Sequence, residues 1–252
     1  MGVLVITGSS RGIGAEIGRA AAIQGLFVCI NYATSKEEAD GVVAQIIAAG
    51  GRAIAVQADV ANEAQVEAMF ARVDAELGPV TGLVNNAGVN GAGKRVDELE
   101  TAVTRRLFEV NILGAFLCAK HAIRRMAKRY GGNGGAIVNI GSAASKHGGP
   151  FTYVEYAAAK AALDTFTIGL AKEQAAEGIR VNCLRPGATM TELSVAYAEE
   201  NPEWLDWVMA QVPLGRTAEV HEIAKAALFL LSDDASYITG AMLDASGGWV
   251  SP

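Results

Sequence analysis

Metal, disulfide, nucleic-acid and membrane chemistry each lack their usual marks in this chain. Only three of its 252 residues are cysteines. Cys29, Cys118 and Cys183 stand apart in apolar stretches, with no CxxC pair and an odd count, so they suggest buried thiols rather than a disulfide framework or a zinc site. His121, His147 and His221 have no metal-ligand spacing, and no metal is expected. Aromatic residues are 6% of the chain against 51% hydrophobic, which implies a core of small aliphatic side chains. No apolar run approaches the ~20 residues that cross a bilayer. The sequence enters Val3-Leu4-Val5-Ile6 without a charged n-region or a signal-like segment, so a reducing cytoplasm is the expected location. A net charge of −6 argues against nucleic acid, which calls for a basic face. The one basic cluster, Arg124 to Arg129, reads as the last turn of a long helix, where the macrodipole favours cations; the alternative is a dock for an acidic carrier protein.

What the chain does contain is alternation. Short β-branched runs near Val3–Thr7, Phe27–Tyr32, Ala53–Gln57, Gly82–Asn85, Ala136–Ile140, Arg180–Leu184 and Ala241–Asp244 alternate with helical stretches. The latter lie near Ile13–Gln24, Lys36–Ala49, Glu63–Leu77, Val103–Arg129, Tyr153–Glu177 and Val220–Leu231. Repeated βαβ units predict an α/β fold, a doubly wound seven-stranded parallel sheet with helices on both faces. No repeat or linker interrupts residues 1–252, so one domain is expected. Pro186 to Arg216 reads as an irregular stretch carrying Tyr197, Trp204 and Trp207 among acidic residues. It follows a strand end, where doubly wound folds bind ligands, and is expected to form a lid at about 188–215. The alternatives are an oligomer contact or a helical pair capping the core.

Tyr156-Ala-Ala-Ala-Lys160 places a phenol and an ammonium one helical turn apart on one face. A phenol with a free pKa near ~10 is a poor acid or base at neutral pH, but a neighbouring cation favours its phenolate. The pattern is cheap, for Tyr32 and Lys36 repeat it across a strand end, and Tyr153 has only Ala157 as its i+4 partner. At the N-terminus, Thr7-Gly8-Ser9-Ser10-Arg11-Gly12-Ile13-Gly14 joins the first strand to the first helix. Glycines there let backbone approach a pyrophosphate, which the N–H groups of a helix N-terminus bind. Gly8-Ser9-Ser10-Arg11-Gly12 also matches a G-x-S-x-G nucleophile elbow, but a hydrolase needs an earlier strand for its oxyanion hole, and only seven residues precede Gly8.

Taken together and in this order, these motifs resemble the short-chain dehydrogenase/reductase family over essentially the whole chain. Thr7-Gly8-x-x-x-Gly12-x-Gly14 is similar to its phosphate loop, with Ser10, Arg11 and Ile13 inside it. Asn85-Asn86-Ala87-Gly88 resembles its fourth-strand motif, and Asn111 the asparagine of its long helix. Ser142, Tyr156 and Lys160 resemble its catalytic set, with Ser145 as an alternative to Ser142. The resemblance implies a Rossmann fold and a ketone–alcohol oxidoreductase. Ser142 would donate to the substrate carbonyl and Tyr156 would exchange its proton. Lys160 would stabilise the phenolate and bind the nicotinamide ribose, and Asn111 would link Lys160 to solvent through a carbonyl or water. It further implies that Asp59 and Val60 meet adenine, that Pro186, Gly187, Thr189 and Thr191 hold the carboxamide side, and that the enzyme is a homotetramer.

Cofactor choice turns on the second strand's end, Asn31-Tyr32-Ala33-Thr34-Ser35-Lys36. NAD-preferring folds place a carboxylate there to bind the ribose diol. None is present, and Arg11, helped by Thr34, Ser35 or Lys36, could neutralise a 2′-phosphate, so NADP(H) is expected, with NAD(H) the alternative. Substrates of 3-oxoacyl-carrier-protein reductases or of sugar (glucose 1-) dehydrogenases both remain open. So does a non-catalytic dinucleotide sensor or scaffold.

Overall fold

In β1 (Val3–Ile6), Val3 and Val5 point into one hydrophobic layer and Leu4 and Ile6 into the other. A strand covered on both faces reads in this way, as a continuous apolar run. The computed structural model describes residues 2–200 and 202–250; within them the side chains of Leu193, Ala196, Tyr197, Pro202 and Trp204 fall outside the described residues. The strands β1, β2 (Phe27–Tyr32), β3 (Arg52–Gln57), β4 (Val80–Asn85), β5 (Gly135–Ile140), β6 (Ile179–Pro186) and the later β9 (Met242–Ala245) form one sheet, ordered β3-β2-β1-β4-β5-β6-β9. All its pairs are parallel. The seven expected strands are these seven.

Helices α1 (Gly12–Ile23), α2 (Lys36–Ala48) and α10 (Val220–Leu231) cover the face of Leu4 and Ile6 through Ile17, Val42, Ile46 and Ile223. On the other face, α3 (Glu63–Glu76), α5 (Gly114–Met126) and α7 (Val154–Gln174) contribute Phe70, Val73, Met126 and Leu170. A buried polar chain fixes α7 on the sheet. Asn85 and Asn139 are register partners on β4 and β5; Asn85 Nδ2 donates to Asn139 Oδ1 at 2.9 Å, and Asn139 Nδ2 to Thr167 Oγ1 of α7 at 2.9 Å. The strand order reverses between β1 and β4, whose C-terminal ends open a crevice of the type that binds ligands in such sheets.

Two expectations need correction. The single helix expected near Val103–Arg129 is α4 (Thr101–Phe108), a five-residue π turn (Glu109–Leu113) and α5, followed by a 3₁₀ turn at Lys128–Tyr130. Apolar periodicity carries no mark of the one surplus residue that makes a π turn. The stretch from Pro186 to Arg216 is not irregular. After β7 (Thr189–Met190), which pairs with β8 (Ala218–Glu219), it holds α8 (Glu192–Glu200) and α9 (Pro202–Gln211). Both helices open with an acidic first turn, favoured by the dipole, and α9 begins at a proline, tolerated at the first helical position. A short helix, α6 (Ala144–His147), also precedes α7.

Two of the four cations of the basic cluster are paired within the molecule. Arg125 pairs with Asp74 at 2.7 Å and lies over the Phe70 ring, and Arg129 pairs with Glu177 at 3.6 Å. All three cysteines are buried, and burial pushes their thiols up to about 12. Among the described residues no helix is long and apolar enough to cross a membrane.

Candidate functional site

Thr7, at the end of β1, governs the first wall of the crevice. Its Oγ1 accepts the N–H groups of Asn86 and Ala87, both at 3.0 Å, while Asn86 Nδ2 donates to the carbonyls of Thr7 at 2.9 Å and Gly8 at 2.8 Å. The loop after β1 and the segment after β4 are thus bolted together. Gly8 has φ 59°, and a Cβ there would stand 2.7 Å from the Ala87 Cα, so only glycine fits. Asn31 braces the loop from below: its Oδ1 accepts the Gly8 N–H at 3.1 Å and its Nδ2 donates to the carbonyl of Ala58 at 3.0 Å. Tyr32 and Val60 are buried nearby. The Asp59 carboxylate accepts from Arg106 at 2.8 Å and from the Ala61 N–H at 3.0 Å.

The N-terminus of α1 already holds an anion. Gly12 N–H donates to Glu192 Oε2 at 3.1 Å, and Thr191 lies against Gly12, 3.4 Å from where a Cβ would be. The segment after β6, including buried Thr189, therefore closes on the glycine loop, where the Gly12 N–H stands at a helix N-terminus, a place of the type that binds phosphate. Arg11 is exposed and, among the described residues, has no ion-pair partner, whereas Lys36 is engaged by Asp40.

The second constellation lies at the ends of β4 and β5. Lys160 is 4% exposed; its Nζ donates to the Ile140 carbonyl at 2.8 Å and lies 5.6 Å from the centre of the partly exposed Tyr156 ring. Two residues beyond Ile140, Ser142 Oγ accepts the Ala144 N–H at 3.1 Å, which leaves its proton to donate elsewhere. The Ser145 hydroxyl is spent on the Ser142 carbonyl at 2.9 Å. Asn111 sits within the π turn, and its amide both accepts the Val89 N–H and donates to the Val89 carbonyl, at 2.8 and 2.9 Å. A Cβ on Gly88 would lie 3.4 Å from Asn111 Oδ1 and 3.6 Å from Lys160 Nζ, so these groups share one small space. Tyr153 packs edge-on to Tyr156, and burial raises its phenol, which suits a packed ring. The other Tyr–Lys match straddles β2 and α2 and is no helical pair.

Rings continue outward from Tyr153 to His147, then Trp249, which stacks on His147 at 5.1 Å, and Trp207. Burial lowers the basicity of His147. Tyr197 and Trp204 lie outside the described residues. Sequence reasoning missed Glu192, Glu155 and Trp249, whose partners are distant along the chain; only Glu155, adjoining Tyr156, carried a positional hint. Among the described residues no cluster of His, Cys, Asp or Glu is placed to hold a metal ion.

A family model described as enoyl-(acyl carrier protein) reductase matches residues 8–250. The uncharacterized oxidoreductase YgfF of Escherichia coli is 44% identical over 248 residues, covering 98% of this chain and 100% of the relative. A 3-oxoacyl-[acyl-carrier-protein] reductase of Synechocystis is 37% identical, covering 98% and 96%. The crystal structure of a gluconate 5-dehydrogenase from Burkholderia cenocepacia, in complex with NADP and tartrate, superposes with a TM-score of 0.90 at 33% identity, covering 98% of this chain and 94% of that one.

Proposed function

The chain belongs to the short-chain dehydrogenase/reductase family of oxidoreductases acting on CH–OH groups, and from that premise we propose that it interconverts a ketone and a secondary alcohol with NADP(H) at Ser142, Tyr156 and Lys160. The observation that carries this reading is the buried Lys160 ammonium pinned beside the Tyr156 ring. Tyr156, one helical turn from that lysine, can give a proton to a developing alkoxide and regain it afterwards. Ser142, with its hydroxyl proton uncommitted, donates to the same oxygen. The Asn111 amide is occupied by Val89, so its link from Lys160 to solvent runs through its backbone carbonyl and a water. When bound, the nicotinamide supplies or accepts the hydride.

The dinucleotide would be held by Gly8, Ser10, Arg11, Gly12, Ile13 and Gly14 at the pyrophosphate, by Asp59 and Val60 at adenine, and by Asn86, Ala87, Gly88, Lys160, Pro186, Gly187, Thr189 and Thr191 toward the nicotinamide. NADP(H) is favoured over NAD(H) because no carboxylate ends β2 and Arg11 has no ion-pair partner among the described residues. Substrates of the 3-oxoacyl or the sugar and sugar-acid class fit this chemistry, in keeping with the 3-oxoacyl reductase and gluconate dehydrogenase relatives. The exposed apolar face of Phe108, Leu113 and Phe116, bordering an open groove of about 880 Å³, supports a homotetramer. The buried, unpaired thiols suit a reducing cytoplasm.

The test is NADPH oxidation against a ketone panel. Tyr156→Phe should lower kcat about a thousandfold on the best substrate; wild type and variant equally slow on every ketone would overturn the reading.

A further inference from the structure

Glu155 directly precedes Tyr156 and, at 5% exposure, is buried as deeply as Lys160. One helical residue rotates a side chain by ~100°, so Glu155 leaves the Tyr156–Lys160 face and turns to the segment after β4. Its Oε1 accepts the Ala92 N–H at 2.8 Å; its Oε2 is buried and, among the described residues, without a partner. A first-turn site offsets part of the cost of burying a carboxylate, yet one bonded oxygen is little compensation. With Oε2 sealed, the structural influence of this group passes through Ala92.

Ala92 closes a short strap, residues 86–92. Thr7 holds its start and Asn111 its middle, by the two bonds to Val89. Gly88 passes over Lys160 Nζ, and at Gly91 a Cβ would strike Tyr153 Cβ at 2.6 Å and Glu155 Oε1 at 2.9 Å. The strap is seated on Asn111 and Glu155, with the lysine of the proton-transfer pair against it.

We propose that Glu155 is a positioning residue that fixes this strap against Tyr156 and Lys160. The inference rests on the oxidoreductase reading above, because the strap matters to turnover only if that pair is catalytic. Three variants test it, read by hydrogen exchange at the Ala92 amide and by kcat and KM separately. Glu155→Gln keeps an acceptor for Ala92 and should leave that amide protected and kcat within about threefold of wild type. Glu155→Ala should speed exchange at Ala92 at least about tenfold and lower kcat about 10- to 100-fold with a smaller change in KM. Ala92→Pro, which deletes the N–H and spares Glu155, should reproduce the kcat loss, and it decides the matter if Glu155→Ala does not fold. Wild-type kcat in Glu155→Ala or in Ala92→Pro overturns the proposal, as does a loss in Glu155→Gln equal to that in Glu155→Ala. Exchange at Ala92 needs no turnover, so an inactive wild type would overturn the oxidoreductase reading while unchanged exchange in Glu155→Ala would overturn the strap.

Discussion

The two walls of the crevice are built differently. The wall around the ends of β1 and β4 is polar side chains locked onto backbone: Thr7, Asn31 and Asn86 exchange hydrogen bonds with main-chain groups, and a single added carbon at Gly8 has no room. The opposite wall, at residues 147–153, presents exposed Gly148, Pro150, Phe151 and Thr152. Phe151 there has φ 69°, yet it is 70% exposed and meets Arg95 at 5.6 Å from its ring. Left-handed residues occur in both walls: glycine at Gly8 and Gly149, where a Cβ has no room, and phenylalanine at Phe151, where space is open. Groups common to every dinucleotide can be met by fixed backbone, whereas substrate choice is left to side chains that can change without disturbing the frame.

Substitutions can break this contrast. Gly8→Ala should have the largest effect: the strained φ and the clash with Ala87 should cost about 3 kcal/mol and lower the melting temperature by ~6–12 °C in calorimetry. A fall of under a degree would show that the β1–β4 wall yields. Arg11→Ala comes next. Removing a charged hydrogen-bonding partner should weaken NADPH about tenfold, with NADH changed less than about twofold, in fluorescence titrations; equal loss for both would remove Arg11 from the 2′-phosphate. Phe151→Gly should matter least. Relief of left-handed strain, ~1–2 kcal/mol, is offset by glycine's added chain entropy, ~0.5–1 kcal/mol, so the melting temperature should stay within about 3 °C. A drop as large as that of Gly8→Ala would mean the two walls are equally rigid.

What could be read from the sequence divides along the same line. Val3 to Ile6 and the other buried strands announce themselves as apolar runs, and the glycine loop is legible because its residue types answer local backbone demands. Tyr156 and Lys160 stand one helical turn apart, but so do Tyr32 and Lys36 in number, and it is the surrounding motifs that set the first pair apart. Glu192 on Gly12, Asp59 on Arg106 and Glu155 on Ala92 bridge 180, 47 and 63 residues of sequence, and no local pattern encodes such pairings. The helices α8 and α9 are short, nine and ten residues, and the i, i+3, i+4 set of Leu205, Val208 and Met209 spans too little of α9 for periodicity to stand out.

The π turn at Glu109–Leu113 makes this helix sensitive to length rather than to composition. A π turn holds one more residue than a regular turn, so deleting one residue from Glu109–Leu113 would leave an unbroken α-helix of sound propensity. That repair would leave α4 and α5 facing as they do, since the π turn absorbs its surplus residue within one turn, but it would reset the backbone that carries Asn111. Asn111 would then lose either Val89 or its place beside Gly88 and Lys160. For this stretch a one-residue deletion is a graver lesion than most single replacements, and the surplus residue serves as a spacer in the site's construction.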